Sequence, residues 1–187
     1  MAVRKIIRMG HPTLRKRART LTKQELASPD LKRLLLDMID TLKDSGGIGL
    51  AAPQVDESIR LAIIDVPGGP SRYGDVPSLP LTIFANPSIE VVDAATAGYW
   101  EGCLSVPGLR GFVERPQHIR VTYQDLKGKT HTLELKGFLA TVFQHEFDHL
   151  DGVLYVDRLA DTRKLVFEDE YVKHLTTQEA ANDDVLV

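Results

Sequence analysis

The clearest hydrophobic rhythm in the chain runs from Ser28 to Gly46. Leu31, Leu34, Leu35, Met38, Ile39 and Leu42 recur at three- and four-residue steps, the spacing of one helix face. Ser28 suits the N-cap, Pro29 the first helical position and Gly46 the residue that ends the helix. The pattern predicts a scaffold helix between them. Arg60–Val66 reads as a strand, and residues 67–80, rich in Gly, Pro and Ser, as an exposed loop. Leu81–Ala85 and Ser88–Val92 are strand-like, with Asn86-Pro87 between them. His118–Tyr123 and Thr130–Leu135 predict a hairpin with Gly128 in the connection. A last apolar-periodic segment lies around residues 138–150. Strands followed by a helix argue for α+β, with mixed or antiparallel strands around a central helix. One domain is expected over residues 1–175, with 176–187 as a flexible tail.

The last periodic segment carries the chemistry. It contains His145-Glu146-Phe147-Asp148-His149. Two histidines four apart on a helix share a face and can hold one metal ion, and the Glu between them projects beside it. A divalent ion makes a nucleophile of water near neutral pH, and an adjacent carboxylate can take and return the proton. The pattern points to metal-assisted hydrolysis with Glu146 as general base.

Such a centre wants a third protein ligand and one open position. One protease pattern places a third His after Gly152, but Tyr155 stands there. A second takes a Glu from the next helix, and Glu168 is within range. The remaining candidate is Cys103, the only cysteine. Spacing alone leaves Glu168 and Cys103 both open. His118 and His131 fall on predicted strands, and His11 and His174 have no ligand pattern around them, so none is counted as a ligand.

Composition narrows the class without changing this picture. At 187 residues, 43% hydrophobic and 26% charged, the chain suits one globular domain. A formal charge of −3 gives no reason to expect direct binding of nucleic acid or anionic membrane. A single cysteine excludes an internal disulfide and suits a reducing compartment. The basic N-terminus lacks the apolar core of a signal peptide, so a cytoplasmic location is expected.

Three segments together carry a family resemblance. Gly47-Ile48-Gly49-Leu50-Ala51-Ala52-Pro53-Gln54, Glu101-Gly102-Cys103-Leu104-Ser105 and Gln144-His145-Glu146-Phe147-Asp148-His149 resemble the signature motifs of peptide deformylases. They stand in family order, and the likeness extends from about Arg8 to about Tyr171. The resemblance implies a hydrolase that removes the formyl group from formyl-methionine of newly made polypeptides, working near the ribosome. It implies Cys103, His145 and His149 as ligands, and Fe²⁺ as the native ion, with Zn²⁺, Ni²⁺ or Co²⁺ able to take its place. It also implies the Gln54 amide and the Leu104 backbone N–H as donors to the developing oxyanion.

Other roles follow from position. Gly47 and Gly49 permit close approaches that a Cβ would block, and a peptide is expected to pair with the backbone at Ile48 and Gly49 as an added strand. Phe138 and Val142, two turns and one turn before His145, are expected to line an apolar pocket for methionine opposite Ile48, a role compatible with core packing. Glu101 is expected to orient the cysteine loop through Arg115 or Arg110, and to lie with Arg110 among the residues facing the peptide.

Overall fold

The computed structural model describes residues 2–71 and 74–176. After a 3-10 turn at Pro12–Arg15 come α1 (Lys23–Leu26) and α2 (Pro29–Ser45). Strands β1 (Gly49–Ala51), β2 (Leu61–Val66), β3 (Gly69–Ser71), β4 (Gly74–Val76), β5 (Leu79–Cys103), β6 (Val106–Gln124) and β7 (Thr130–Lys136) follow. Then come α3 (Gly137–Asp148), β8 (Leu165–Phe167) and α4 (Glu168–His174). The main sheet runs β1-β2-β5-β6-β7, with β8 added to β6, and every pair of these strands is antiparallel. The expected α+β class holds, with the strand pairing antiparallel.

The scaffold helix forms where its punctuation places it. The Ser28 side chain accepts from Leu31 N–H, Pro29 opens the first turn, and Gly46 closes it at φ 66°. Its apolar stripe packs against Leu50, Leu61 and Ile63. The alternate residues of β2, Ala62 and Ile64, face the other way, onto α3. Both faces of β2 are therefore covered, which explains its unbroken apolar run.

Two expectations change. Residues 67–80 are not one loop: they contain the β3–β4 hairpin and the first residues of β5, and Val76 is buried. The two runs on either side of Asn86-Pro87 belong to one 25-residue strand, β5, whose register with β6 shifts between Ala85 and Ser88. Asn86 takes φ 49° there, and its side chain bonds Leu21 N–H at 2.8 Å and Leu21 C=O at 2.9 Å. Asn86 Nδ2 also donates to Gln124 Oε1 at 2.7 Å, bridging β5 to β6 beside Pro87, which has no N–H to offer. The hairpin expected at 118–135 is present as the end of β6 and β7, with Gly128 at φ 76°. Of the expected tail, residues 177–187 lie outside the described residues.

Helix α3 crosses the sheet on an aromatic cluster. Phe84 of β5 meets Phe143 at 4.9 Å and Phe147 at 5.8 Å between ring centroids, and Tyr123 of β6 at 4.6 Å. Phe147 is the residue between Glu146 and Asp148, so this contact sets the rotation of the metal-motif helix. Phe84→Ala should cost about 3–5 kcal/mol in urea denaturation, the range for removing a buried aromatic. A loss below about 1 kcal/mol would show that the cluster does not anchor α3.

Candidate metal centre

Two chain segments far apart in sequence meet at the open side of α3. His145 lies in its last turn; His149 follows as its C-cap at φ −57° and ψ −32°, continuing the helical path into a 3-10 turn. The second histidine is thus one residue beyond the α-helix proper but still above the first. Their rings stand 5.3 Å apart and nearly perpendicular. Cys103 ends β5 at a tight turn: Glu101 pairs with Gly111 and Cys103 with Val106, leaving Leu104 and Ser105 at the tip. That register brings Cys103 Sγ to 3.3 Å from His149 Nε2.

The ligand atoms of Cys103, His145 and His149 all lie within 4.8 Å of one another. A tetrahedral ion with bonds of about 2.0–2.3 Å needs ligand atoms about 3.4–3.7 Å apart, so the three residues fit one metal. Glu168 is not part of this group. Its carboxylate accepts from Arg110 Nε at 3.0 Å and from a second guanidinium nitrogen. The endopeptidase arrangement with Glu168 as third ligand finds no support here.

Electrostatics couple the thiol to the two imidazoles. Burial alone would push the Cys103 thiol up, but the charge of His149 and hydrogen bonds from both histidines hold it well below its ordinary value. Burial would likewise lower His145, and its bonds to Cys103 and Glu101 reverse that and raise it well above the usual imidazole range. Burial raises Glu146, against the pull of the two histidines. Among the described residues, Glu146 Oε2 is a buried oxygen without a hydrogen-bond partner. A buried carboxylate oxygen left open beside a ligand cluster is placed to accept a proton from something that binds there.

The sequence-derived residues distribute as follows. Glu101 is among the residues lining the cleft over the site, and its carboxylate accepts from His145 Nδ1 at 2.7 Å and from Arg115 at 2.6 and 3.0 Å. Of its two expected arginine partners the one bonded is Arg115, while Arg110 bonds Glu168. A carboxylate behind a ligand histidine fixes the ring so that Nε2 points at the ion. Arg110 instead lies over Gly102, where a Cβ would come within 2.3 Å of its guanidinium.

Gln54 is buried, with Oε1 accepting from Ala51 N–H at 2.8 Å and Nε2 turned toward Cys103. Gly49 packs directly on the general-base candidate: a Cβ there would lie 2.4 Å from Glu146 Oε1. A cleft of about 650 Å³ opens over Cys103, His145 and Glu146, lined also by Ile48, Gln54, Leu104, Phe138, Val142 and Arg110. Val142 serves both the core and this cleft, and Phe138 meets Tyr99 edge-on at 5.8 Å.

Sequence reasoning missed two supports. Asp148, a middle residue of the histidine motif, accepts from Arg115 at 2.7 Å and from Arg158 at 2.6 Å. Tyr155 stacks on His145 with centroids 6.0 Å apart. The acidic character of Asp148 was a visible signal, since a buried Arg115 needs more than one anion.

This geometry has close counterparts. The family model described as polypeptide deformylase matches residues 3–165. The chain belongs to the peptide deformylase family. A peptide deformylase of Leptospira biflexa is 42% identical over 170 residues, covering 91% of this chain and 95% of that protein. The crystal structure of the Thermotoga maritima enzyme matches at TM-score 0.75 and 40% identity, over 86% of this chain and all of the other. The Met-Ala-Ser-bound enzyme of Acinetobacter baumannii matches at TM-score 0.76 and 36% identity, over 84% and 98%. The family removes the formyl group from N-terminal formylmethionine with a bound metal, and this chain is a hydrolase of that kind. No helix among the described residues is long and apolar enough to cross a membrane.

The contact at Gly49 yields a test. Gly49→Ala should displace the Glu146 carboxylate while leaving all three ligands in place. Metal content should stay near one ion per chain, while kcat should fall about 100-fold, the scale of a 1 Å misplacement. Parallel metal analysis and kinetics check this; an unchanged kcat would mean that Glu146 does not need the space.

Proposed function

We propose that Cys103, His145 and His149 hold the ion and that Glu146 transfers the proton in deformylation. The observation that carries this is the open Glu146 oxygen beside the three converging ligand residues. A divalent ion held there acidifies water and polarises a carbonyl. Glu146 takes the proton of the attacking water. It then hands that proton to the leaving amine. Gln54 Nε2 and the Leu104 N–H donate to the carbonyl oxygen as its charge grows.

The substrate in this reading is the N-terminus of a formylated nascent peptide. β1 is the edge strand of the sheet, bonded only to β2. Ile48 C=O accepts from Asp65 N–H on the β2 side, while Ala51 N–H turns outward to Gln54. Alternation puts the N–H and C=O of Gly49 on the open side, where a peptide can add as a strand. Ile48, Phe138 and Val142 offer the apolar wall for the methionine, and Arg110 lines the same cleft as a residue to face the peptide. The Met-Ala-Ser complex of the Acinetobacter baumannii relative supports a peptide in this cleft.

Fe²⁺ is the native ion in this reading. The thiolate and two imidazoles equally accept Zn²⁺, Ni²⁺ or Co²⁺, so cellular availability selects. Residues 1–175 act as one catalytic domain with 176–187 as its tail, in the cytoplasm and close to the ribosome. The lone cysteine, whose oxidation would end ligation, supports a reducing compartment.

The Fe²⁺ protein should release formate from formyl-Met-Ala-Ser, leave acetyl-Met-Ala-Ser intact and cut no internal peptide bond. Glu146→Gln should keep its metal and lose about 10²- to 10⁴-fold in kcat. Internal cleavage without formate release, or a metallated Glu146→Gln variant of normal activity, contradicts the assignment.

A further inference from the structure

One residue of the cysteine motif has no part in the chemistry above. Ser105 follows Leu104 at the tip of the β5–β6 turn and is fully buried. A buried hydroxyl at a tight turn is most simply a turn-forming group. Its contacts point elsewhere. Its N–H donates to Cys103 Sγ at 3.4 Å, its C=O accepts from Met9 N–H at 2.7 Å, and its Oγ lies 3.3 Å from Gln54 Nε2.

The Gln54 contact has only one direction. Ala51 N–H must meet an acceptor, so the nearer Gln54 atom is Oε1 and the other is the amide nitrogen. An amide nitrogen cannot accept, so Ser105 Oγ is the acceptor. The carboxamide is therefore held at both ends, at Oε1 by the backbone and at Nε2 by Ser105. The nitrogen carries two hydrogens. With one held by Ser105, the other faces the Cys103 sulfur at 3.6 Å, a long contact that leaves it free to turn to a stronger acceptor. That acceptor is the growing carbonyl charge of the substrate.

We propose that Ser105 is a positioning residue whose hydroxyl locks the Gln54 carboxamide, so that the second Nε2 hydrogen points at the reacting carbonyl. The inference rests on the donor role given to Gln54 above. Without Ser105 Oγ the amide would be tethered at one end only and would spread its hydrogens over several directions. Donors aimed in advance cost no reorganisation at the moment of reaction, and an amide free to rotate forfeits that advantage.

Ser105→Ala removes only the oxygen. It leaves both backbone contacts of residue 105, to Cys103 and to Met9, so a role in holding the turn or the thiolate predicts little change. The test combines Ser105→Ala, Gln54→Leu and the double variant, each loaded with metal and assayed on formyl-Met-Ala-Ser. Ser105→Ala should lower kcat about tenfold with KM within about twofold, less than the loss of the donor itself. In the Gln54→Leu background the same change should cost less than about twofold, because the group through which it acts is gone.

A second readout needs no turnover and no variant of Ser105. In the Zn²⁺ form, the two Gln54 Nε2 protons should be resolved by NMR, with one giving a cross-peak to the Ser105 β protons. Both should exchange with solvent far more slowly than those of exposed Gln24. The outcomes separate. A normal kcat for Gln54→Leu overturns the donor role and this proposal with it. A loss for Gln54→Leu beside a normal kcat for Ser105→Ala overturns the proposal alone. Equal losses from Ser105→Ala in both backgrounds, or Nε2 protons that exchange as fast as those of Gln24, also overturn it.

Discussion

The site depends on one buried carboxylate. Glu101 stands on β5 two residues before Cys103, and it bonds His145 on α3 and Arg115 on β6 at once. It thus ties the strand that brings the sulfur to the helix that brings the imidazoles. Arg115 extends the tie to Asp148, next to His149. The Arg115 side chain is 2% exposed and that of Glu101 6%, so both charges have left water. Such a pair adds little net stability against apolar replacements, yet losing one partner strands a buried charge at a cost of about 3–5 kcal/mol. Its value here is geometric. Each partner is held in one orientation because every other orientation leaves a charge unpaired.

Close backbone contacts are the second constraint. The Glu146 carboxylate has room because residue 49 has no side chain, and Arg110 crosses residue 102 for the same reason. The glycines of the first two motifs are therefore packing requirements at named atoms. Gln54 and the cysteine turn are ordered by backbone contacts too. Gln54 C=O accepts from Ile7 N–H, and Ser105 C=O from Met9 N–H, so the N-terminal segment holds the amide and the cysteine turn side by side.

Features legible in the sequence were mostly local. The caps of α2, the histidine pair on α3 and the hairpin across Gly128 each depend on residues within a few positions of one another. The Cys103 ligand is a contact 46 residues long in the chain, and spacing alone left Glu168 equally open. Only the three motifs together pointed to the cysteine. The Arg115 link was half legible, because Arg110 and Arg115 lie on one strand and only the β5–β6 register decides which reaches Glu101. The β3–β4 hairpin was hidden by a Gly- and Pro-rich composition that favours loops. The continuity of β5 through Asn86-Pro87 was hidden because the Asn86 side chain bridges β5 to β6 beside a proline that has no N–H to offer.

The central claim is that the sulfur of Cys103 and two imidazoles surround the ion. X-ray absorption at the zinc edge of the Zn²⁺-loaded protein tests it most directly. The account predicts one sulfur at about 2.3 Å and two imidazole nitrogens at about 2.0–2.1 Å, with one lighter atom completing four. A first shell of nitrogen and oxygen alone, unchanged in Cys103→Ala, would contradict it.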